Sequence, residues 1–167
     1  FDIPATVGSA VRQLKDRGAS FVTVHGNQSI MEAAAENKGD TLKVLGVTVL
    51  TSLDRGDLDD HGFDCNIDEL VLSRARQCLE SGCDGVISSG QEAAGIRSAT
   101  GSGFLIVTPG IRLPGSAVGD QQRIMTPQHA IAAGADYIVV GRPIKEHANP
   151  KQAAADIQQR IRKIFSS

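Results

Sequence analysis

One junction is written three times into this chain. Gly18-Ala19-Ser20 precedes Phe21-Val22-Thr23-Val24, Gly82-Cys83-Asp84 precedes Gly85-Val86-Ile87-Ser88, and Gly134-Ala135-Asp136 precedes Tyr137-Ile138-Val139-Val140. Each time, a glycine suited to the left-handed close of a helix is followed by a small residue, a polar residue and a β-rich apolar run. A chain that passes from helix to strand so regularly is restricted to alternating units. Two further apolar runs, from Leu42 to Leu50 and from Phe104 to Val107, lie between the copies, so the repeats mark alternate strands of a series of five.

Helical signals fill the intervals. Val7, Val11 and Leu14 have helical spacing and end at Gly18, while Ile67, Leu70, Val71 and Leu79 belong to a polar helix ending near Gly82. Thr126-Pro127 and Asn149-Pro150 each set an N-cap residue before a proline at the first helical position. The last helix carries Ile157, Ile161 and Ile164 on one stripe. Continuous apolar strands between helices predict a parallel sheet covered by helices.

An open doubly wound sheet and a (β/α) barrel both satisfy that order. In the first, a site gathers at one switch point; in the second, all strand ends share one face. Here every strand runs out into polar candidates: His25, Thr51, Ser88 with Ser89, Arg112 and Arg142. That distribution favours the barrel. Five strands do not close a ring of eight, and Phe1-Asp2-Ile3-Pro4 reads as the tail of a further strand, so the expectation is an incomplete (β/α)8 TIM barrel holding about its last five βα units.

Composition sets the remaining bounds. With 167 residues, 41% hydrophobic and 22% charged, the chain is long enough for one cored domain over residues 1–167 and too short for two. A net charge of −2 gives no electrostatic case for nucleic acid or an anionic membrane as partner. No apolar run approaches the roughly 20 residues of a membrane span, and no signal peptide opens the sequence, which makes cytoplasm the default location. Cys65, Cys78 and Cys83 lack paired metal or disulfide spacing and are expected as free thiols. The histidines His25, His61, His129 and His147 form no ligand pattern, so no metal is expected.

Two strand ends carry the chemistry. Val107-Thr108-Pro109-Gly110-Ile111-Arg112 and Tyr137-Ile138-Val139-Val140-Gly141-Arg142 each break into a glycine and an arginine. A buried strand needs no arginine, and loops on two neighbouring strands can hold one phosphate between backbone amides and guanidinium forks.

These residues carry a resemblance. Asp2-Ile3-Pro4-Ala5-Thr6-Val7 is similar to the end of the Asp-x-Lys-x-x-Asp-Ile-Pro-Asn-Thr-Val signature of the orotidine 5′-phosphate decarboxylase family, with Ala5 standing where that signature has asparagine. Val47-Thr48-Val49-Leu50-Thr51-Ser52, Thr108-Pro109-Gly110-Ile111-Arg112, Asp120-Gln121 and Val140-Gly141-Arg142-Pro143-Ile144 follow in the family's order, so the resemblance spans essentially the whole chain.

The resemblance implies a homodimeric (β/α)8 barrel that converts orotidine 5′-monophosphate to UMP in pyrimidine biosynthesis without metal or organic cofactor. It assigns the phosphate to Arg142, the Gly141 amide and Arg112, loop closure to Gln121, and the pyrimidine edge to Thr51. Asp2 and Thr6 are implied to reach across the dimer interface, Asp2 as part of the catalytic array. The signature's lysine, the implied proton donor, falls before Phe1, so the 167-residue chain alone is expected to be inactive. Two alternatives stay open: a sugar-phosphate decarboxylase or aldolase of the same superfamily, such as hexulose-phosphate synthase, and a non-catalytic nucleotide-binding fragment.

Simpler roles exist for several of these residues. Asp2 is also placed to cap the helix that follows, Thr51 to cap a helix near Leu53, and His25 to bond to backbone at the barrel rim. Asp54, Asp57, Asp59 and Asp60 lack ordered calcium-ligand spacing, and Ser88 and Ser89 lack a histidine and acid partnership for a hydrolase triad.

Overall fold

The computed structural model describes residues 2–50, 55–60, 62, 64–113 and 125–166. Helix α1 (Pro4–Lys15) leads to β1 (Phe21–His25), α2 (Gln28–Asn37) and β2 (Lys43–Val47). Next come α3 (Arg55–Asp60), α4 (Ile67–Glu80), β3 (Gly85–Ile87), α5 (Ala93–Thr100) and β4 (Leu105–Thr108). The order closes with α6 (Pro127–Ala132), β5 (Tyr137–Ile138), α7 (Arg142–Lys145) and α8 (Pro150–Arg162).

The five strands are parallel and lie in sequence order, β1-β2-β3-β4-β5. A doubly wound sheet reverses its order at a switch point, and this one never does. Because parallel crossovers are right-handed, successive helices fall on one side of such a sheet, which is barrel winding. Val24, Val44, Val86 and Ile106 accordingly pack in one core with Val11, Ile30, Met31, Ala34, Val71, Ala75 and Ile96 of the helices. The alternate strand residues, among them Phe21, Leu45, Val107 and Tyr137, face the other way. Phe21 on one edge strand and Tyr137 on the opposite edge meet with ring centroids 5.1 Å apart at an interplanar angle of 65°. Opposite margins touch only in a strongly curled sheet.

The repeated junction explains how strands are set against helices. Gly18, Gly82 and Gly134 all have positive φ, at 73°, 80° and 110°, as the left-handed close of a helix requires. In the second and third copies the polar residue then latches onto the preceding strand. Asp84 donates its N–H to Val44 O (2.9 Å) while its Oδ2 accepts from Val44 N–H (2.8 Å). Asp136 does the same with Ile106, at 2.9 and 2.8 Å. In the first copy Lys43 N–H donates to Ser20 O (3.0 Å).

Both carboxylates are compensated. Lys38 and Lys43 lie 2.7 and 3.2 Å from Asp84, and Arg97 lies 2.6 Å from Asp136. Burial alone would raise the Asp84 carboxyl, but hydrogen bonds from Lys38, Val44 and Lys43 and the Lys38 charge outweigh it and hold the group below its usual range. Arg97 also donates to the carbonyls of Gly101, Phe104 and Gly134, closing α5 and securing two strand beginnings.

Caps appear where the sequence predicts them. Thr126 Oγ1 accepts from His129 N–H (3.3 Å) and Asn149 Oδ1 from Gln152 N–H (3.1 Å), each before a proline in the first helical turn. Helix α4 adds a reciprocal capping box between Asn66 and Glu69. At α1 the N-cap is Ile3, with Pro4 in the first turn. Among the described residues, no helix is long and apolar enough to cross a membrane.

Candidate functional site at the carboxyl rim

Parallel strands deliver all their carboxyl ends to one rim, and the register fixes who meets whom there. Val107 pairs with Tyr137 and Thr108 with Ile138, and Val139 N–H donates to Thr108 O (2.8 Å). The segments leaving β4 and β5 therefore start side by side. The first contains Gly110, with φ of 75°, and Arg112; the second contains Gly141 and Arg142. The two Gly-Arg segments thus occupy adjacent positions on one rim.

Arg112 is 8% exposed, unusual for a guanidinium. Its backbone is fixed by Arg112 N–H to Met125 O (3.0 Å) and by an Ile111–Met125 bridge, and its Nη1 donates to Ile111 O (2.8 Å). The cation is held close to the strand end rather than released to solvent. Arg142 opens α7, with Gly141 at the N-cap and exposed. Pro143 follows and contributes no N–H, so the amides that open this helix are those of Gly141 and Arg142. Backbone amides beside a half-buried guanidinium suit a compact anion.

Hydroxyls ring the same face. Thr48, Ser88, Ser89 and Thr108 are all buried at strand carboxyl ends. Thr48 Oγ1 donates to Ile87 O (3.1 Å), and Arg74 Nη1 donates to Thr48 O (2.6 Å), tying α4 to the end of β2. Ser88 Oγ and Thr108 Oγ1 have no hydrogen-bond partner among the described residues. A buried hydroxyl left so costs free energy, which a polar ligand or an ordered water would recover. Arg74 carries no signal in the sequence that marks it out, since a helix arginine is commonplace, and Thr108 is legible only as the first residue of the Thr108–Arg112 segment.

Asp2 and Thr6 lie at the start of α1, both exposed, on the other flank of the sheet. Thr6 shares with Val7, Val11, Val22, Val24, His25, Val47 and Leu50 an apolar groove of about 570 Å³ along β1. His25 ends β1 and Leu50 lies just beyond β2, so the groove brings Thr6 level with the rim. Thr51, Gln121 and Asp120 lie outside the described residues. No group of three or more His, Cys, Asp or Glu among the described residues could hold a metal ion.

A family model described as orotidine 5′-phosphate decarboxylase / HUMPS family matches residues 1–157. An orotidine 5′-phosphate decarboxylase of Methylococcus capsulatus is 54% identical over 168 aligned positions, covering 100% of this chain and 69% of that protein. Another, from Afipia carboxidovorans, is 52% identical over 161, covering 96% and 68%. The crystal structure of orotidine 5′-phosphate decarboxylase from Lactobacillus acidophilus superposes with a TM-score of 0.81 at 34% identity, covering 96% of this chain and 71% of that one. The enzyme from Pyrococcus horikoshii OT3 gives 0.72 at 30%, covering 96% and 70%. The fold is that of a TIM barrel, of which this chain is a part.

Proposed function

Because the chain belongs to the orotidine 5′-phosphate decarboxylase / HUMPS family, we propose that it comes from a carbon–carbon lyase that decarboxylates orotidine 5′-monophosphate to UMP in pyrimidine biosynthesis. The observation that carries this is the match across residues 1–157 together with two Gly-Arg segments leaving adjacent strands on one rim. The relatives reported above, at 54% and 52% identity, are orotidine 5′-phosphate decarboxylases, which favours that reaction over the sugar-phosphate chemistry admitted by the family description.

The proposal takes residues 1–167 as one partial (β/α)8 domain and gives its residues the following work. Arg142, the Gly141 amide and Arg112 hold the phosphate, and Gln121 closes the loop over it. Thr51 meets the pyrimidine edge. Asp2 and Thr6 act across a homodimer interface, Asp2 within the catalytic array. Breaking the bond between ring carbon and carboxylate releases CO2 and leaves the electron pair on that carbon, where a proton must be delivered. The relatives are longer than this chain, and the proposal draws the protonating lysine from that additional portion, with no cofactor required. The carboxylate of Asp2 disfavours the substrate's own carboxylate, and binding energy from the remote phosphate offsets that cost. A cytoplasmic location completes the proposal.

Absorbance change on adding orotidine 5′-monophosphate to the protein at its full natural length tests the reaction. Turnover abolished by a chelator would overturn it. Arg142→Ala is expected to weaken UMP binding about 10–100-fold, the loss of a charge-assisted contact. Unchanged affinity in equilibrium titration would remove Arg142 from the phosphate site.

A further inference from the structure

We propose that Cys78 and Cys83 form a redox-active dithiol that a hydroperoxide converts to an intrachain disulfide. Cys78 lies in the last turn of α4, fully buried, and Cys83 follows the turn at Gly82 with 5% exposure. Cys83 N–H donates to Cys78 O at 3.0 Å. Through standard bond lengths, that bond holds the two α carbons within about 7 Å, the limit a disulfide can span. The two thiols are direct neighbours, each shifting the other's acidity.

The pair is asymmetric in the way a peroxide-reactive dithiol requires. Lys38 Nζ donates to Gly82 O (3.1 Å) and to Asp84 Oδ2 (2.7 Å), so an ammonium is pinned on the turn that carries Cys83. The hydrogen bond from Cys78 and the Lys38 charge lower Cys83, against burial and the Asp84 carboxylate. The hydrogen bond with Cys83, burial and the neighbouring thiol raise Cys78. Cys78 Sγ packs against the bare face of Gly46, where a Cβ would collide with it and would lie 3.0 Å from Met31 Sδ. Cys83 is therefore the nucleophile and Cys78 the thiol that resolves its oxidised form.

The chemistry balances. The Cys83 thiolate attacks the hydroperoxide, forming an S–O bond as the O–O bond breaks, and the leaving oxygen departs as hydroxide or alkoxide and takes up a proton. Cys78 sulfur then attacks the sulfenic sulfur, the S–S bond forms, and water leaves with the Cys78 proton. Two electrons pass from the thiols to the peroxide, and a dithiol reductant reverses the change.

The test is hydrogen peroxide added to the chain, followed by denaturing alkylation and peptide mapping. All three cysteines begin as free thiols. The expected result is loss of two alkylatable thiols, a Cys78–Cys83 cross-linked peptide two hydrogens lighter, and recovery of both thiols with dithiothreitol. In Cys78→Ser, a dimedone adduct is expected at Cys83, forming ~10-fold faster than any at Cys65. Cys65 is the more exposed thiol and serves as the internal standard. Oxidation of Cys65 with Cys78 and Cys83 still alkylated, or cross-links to Cys65, would overturn the proposal. The unsubstituted chain decides the matter by itself if the serine variant does not fold.

Discussion

Asp84 shows how much work one carboxylate does at a helix-to-strand junction. It accepts from Val44 N–H and Lys38, and its own N–H returns to Val44, so removing its charge loosens β2, α2 and the start of β3 together. Its carboxyl is held below the usual value of about 3.9. A folded value below the unfolded one contributes stability that is present above about pH 4 and lost as pH falls through the folded value. Asp84→Asn is expected to cost about 1–3 kcal/mol at pH 7 in urea unfolding, with the gap to the unsubstituted chain narrowing below pH 4. A gap independent of pH would contradict the charge-based account. The glycine of each repeat was legible in the sequence because left-handed backbone has a residue signature. The aspartate's role was not, because its partner is a strand 40 residues earlier in one copy and 30 in the other.

At the scale of elements, strand positions followed from apolar runs, while strand lengths did not. The run from Leu42 to Leu50 yields a strand only over Lys43–Val47, and Tyr137 to Val140 yields only Tyr137–Ile138. Each strand stops where its segment turns out along the rim, and that turn depends on neighbours such as Thr108 and Ile87. Helix α2 escaped individual notice because its buried face, Ile30, Met31 and Ala34, relies on alanine where a stripe would show larger side chains. Close approach is also what β3 needs. A Cβ at Gly85 would sit 2.6 Å from Leu105 Cβ and collide with Leu105 O, whereas one at Gly103 meets nothing within 4 Å. Gly85→Ala is expected to destabilise by about 1–3 kcal/mol, with Gly103→Ala within about 1 kcal/mol of the unsubstituted chain. Equal unfolding midpoints for the two would sink this account of the β3–β4 contact.

For the whole molecule, the choice between barrel and open sheet was legible in polar residues at every strand end, and the unreversed strand order bears it out. The rim site was legible in part. Arg112, Gly141 and Arg142 come to adjacent strand ends, and Asp2 and Thr6 stand on the opposite flank, whereas Thr51 and Gln121 lie outside the described residues. The meeting of Phe21 and Tyr137 was not legible, since each is an ordinary strand aromatic until curvature brings the margins together. A double-mutant cycle with Phe21→Leu and Tyr137→Leu is expected to show a coupling of about 0.5–1.5 kcal/mol. Additive effects would mean that the rings are neighbours without mutual stabilisation.

That pair of rings has a geometric corollary. Two aromatic groups at the mouth of the arc gauge its bore as a calliper does, so the radius is already set by five units. Any wall that spans the remaining gap is fitted to a diameter it did not choose.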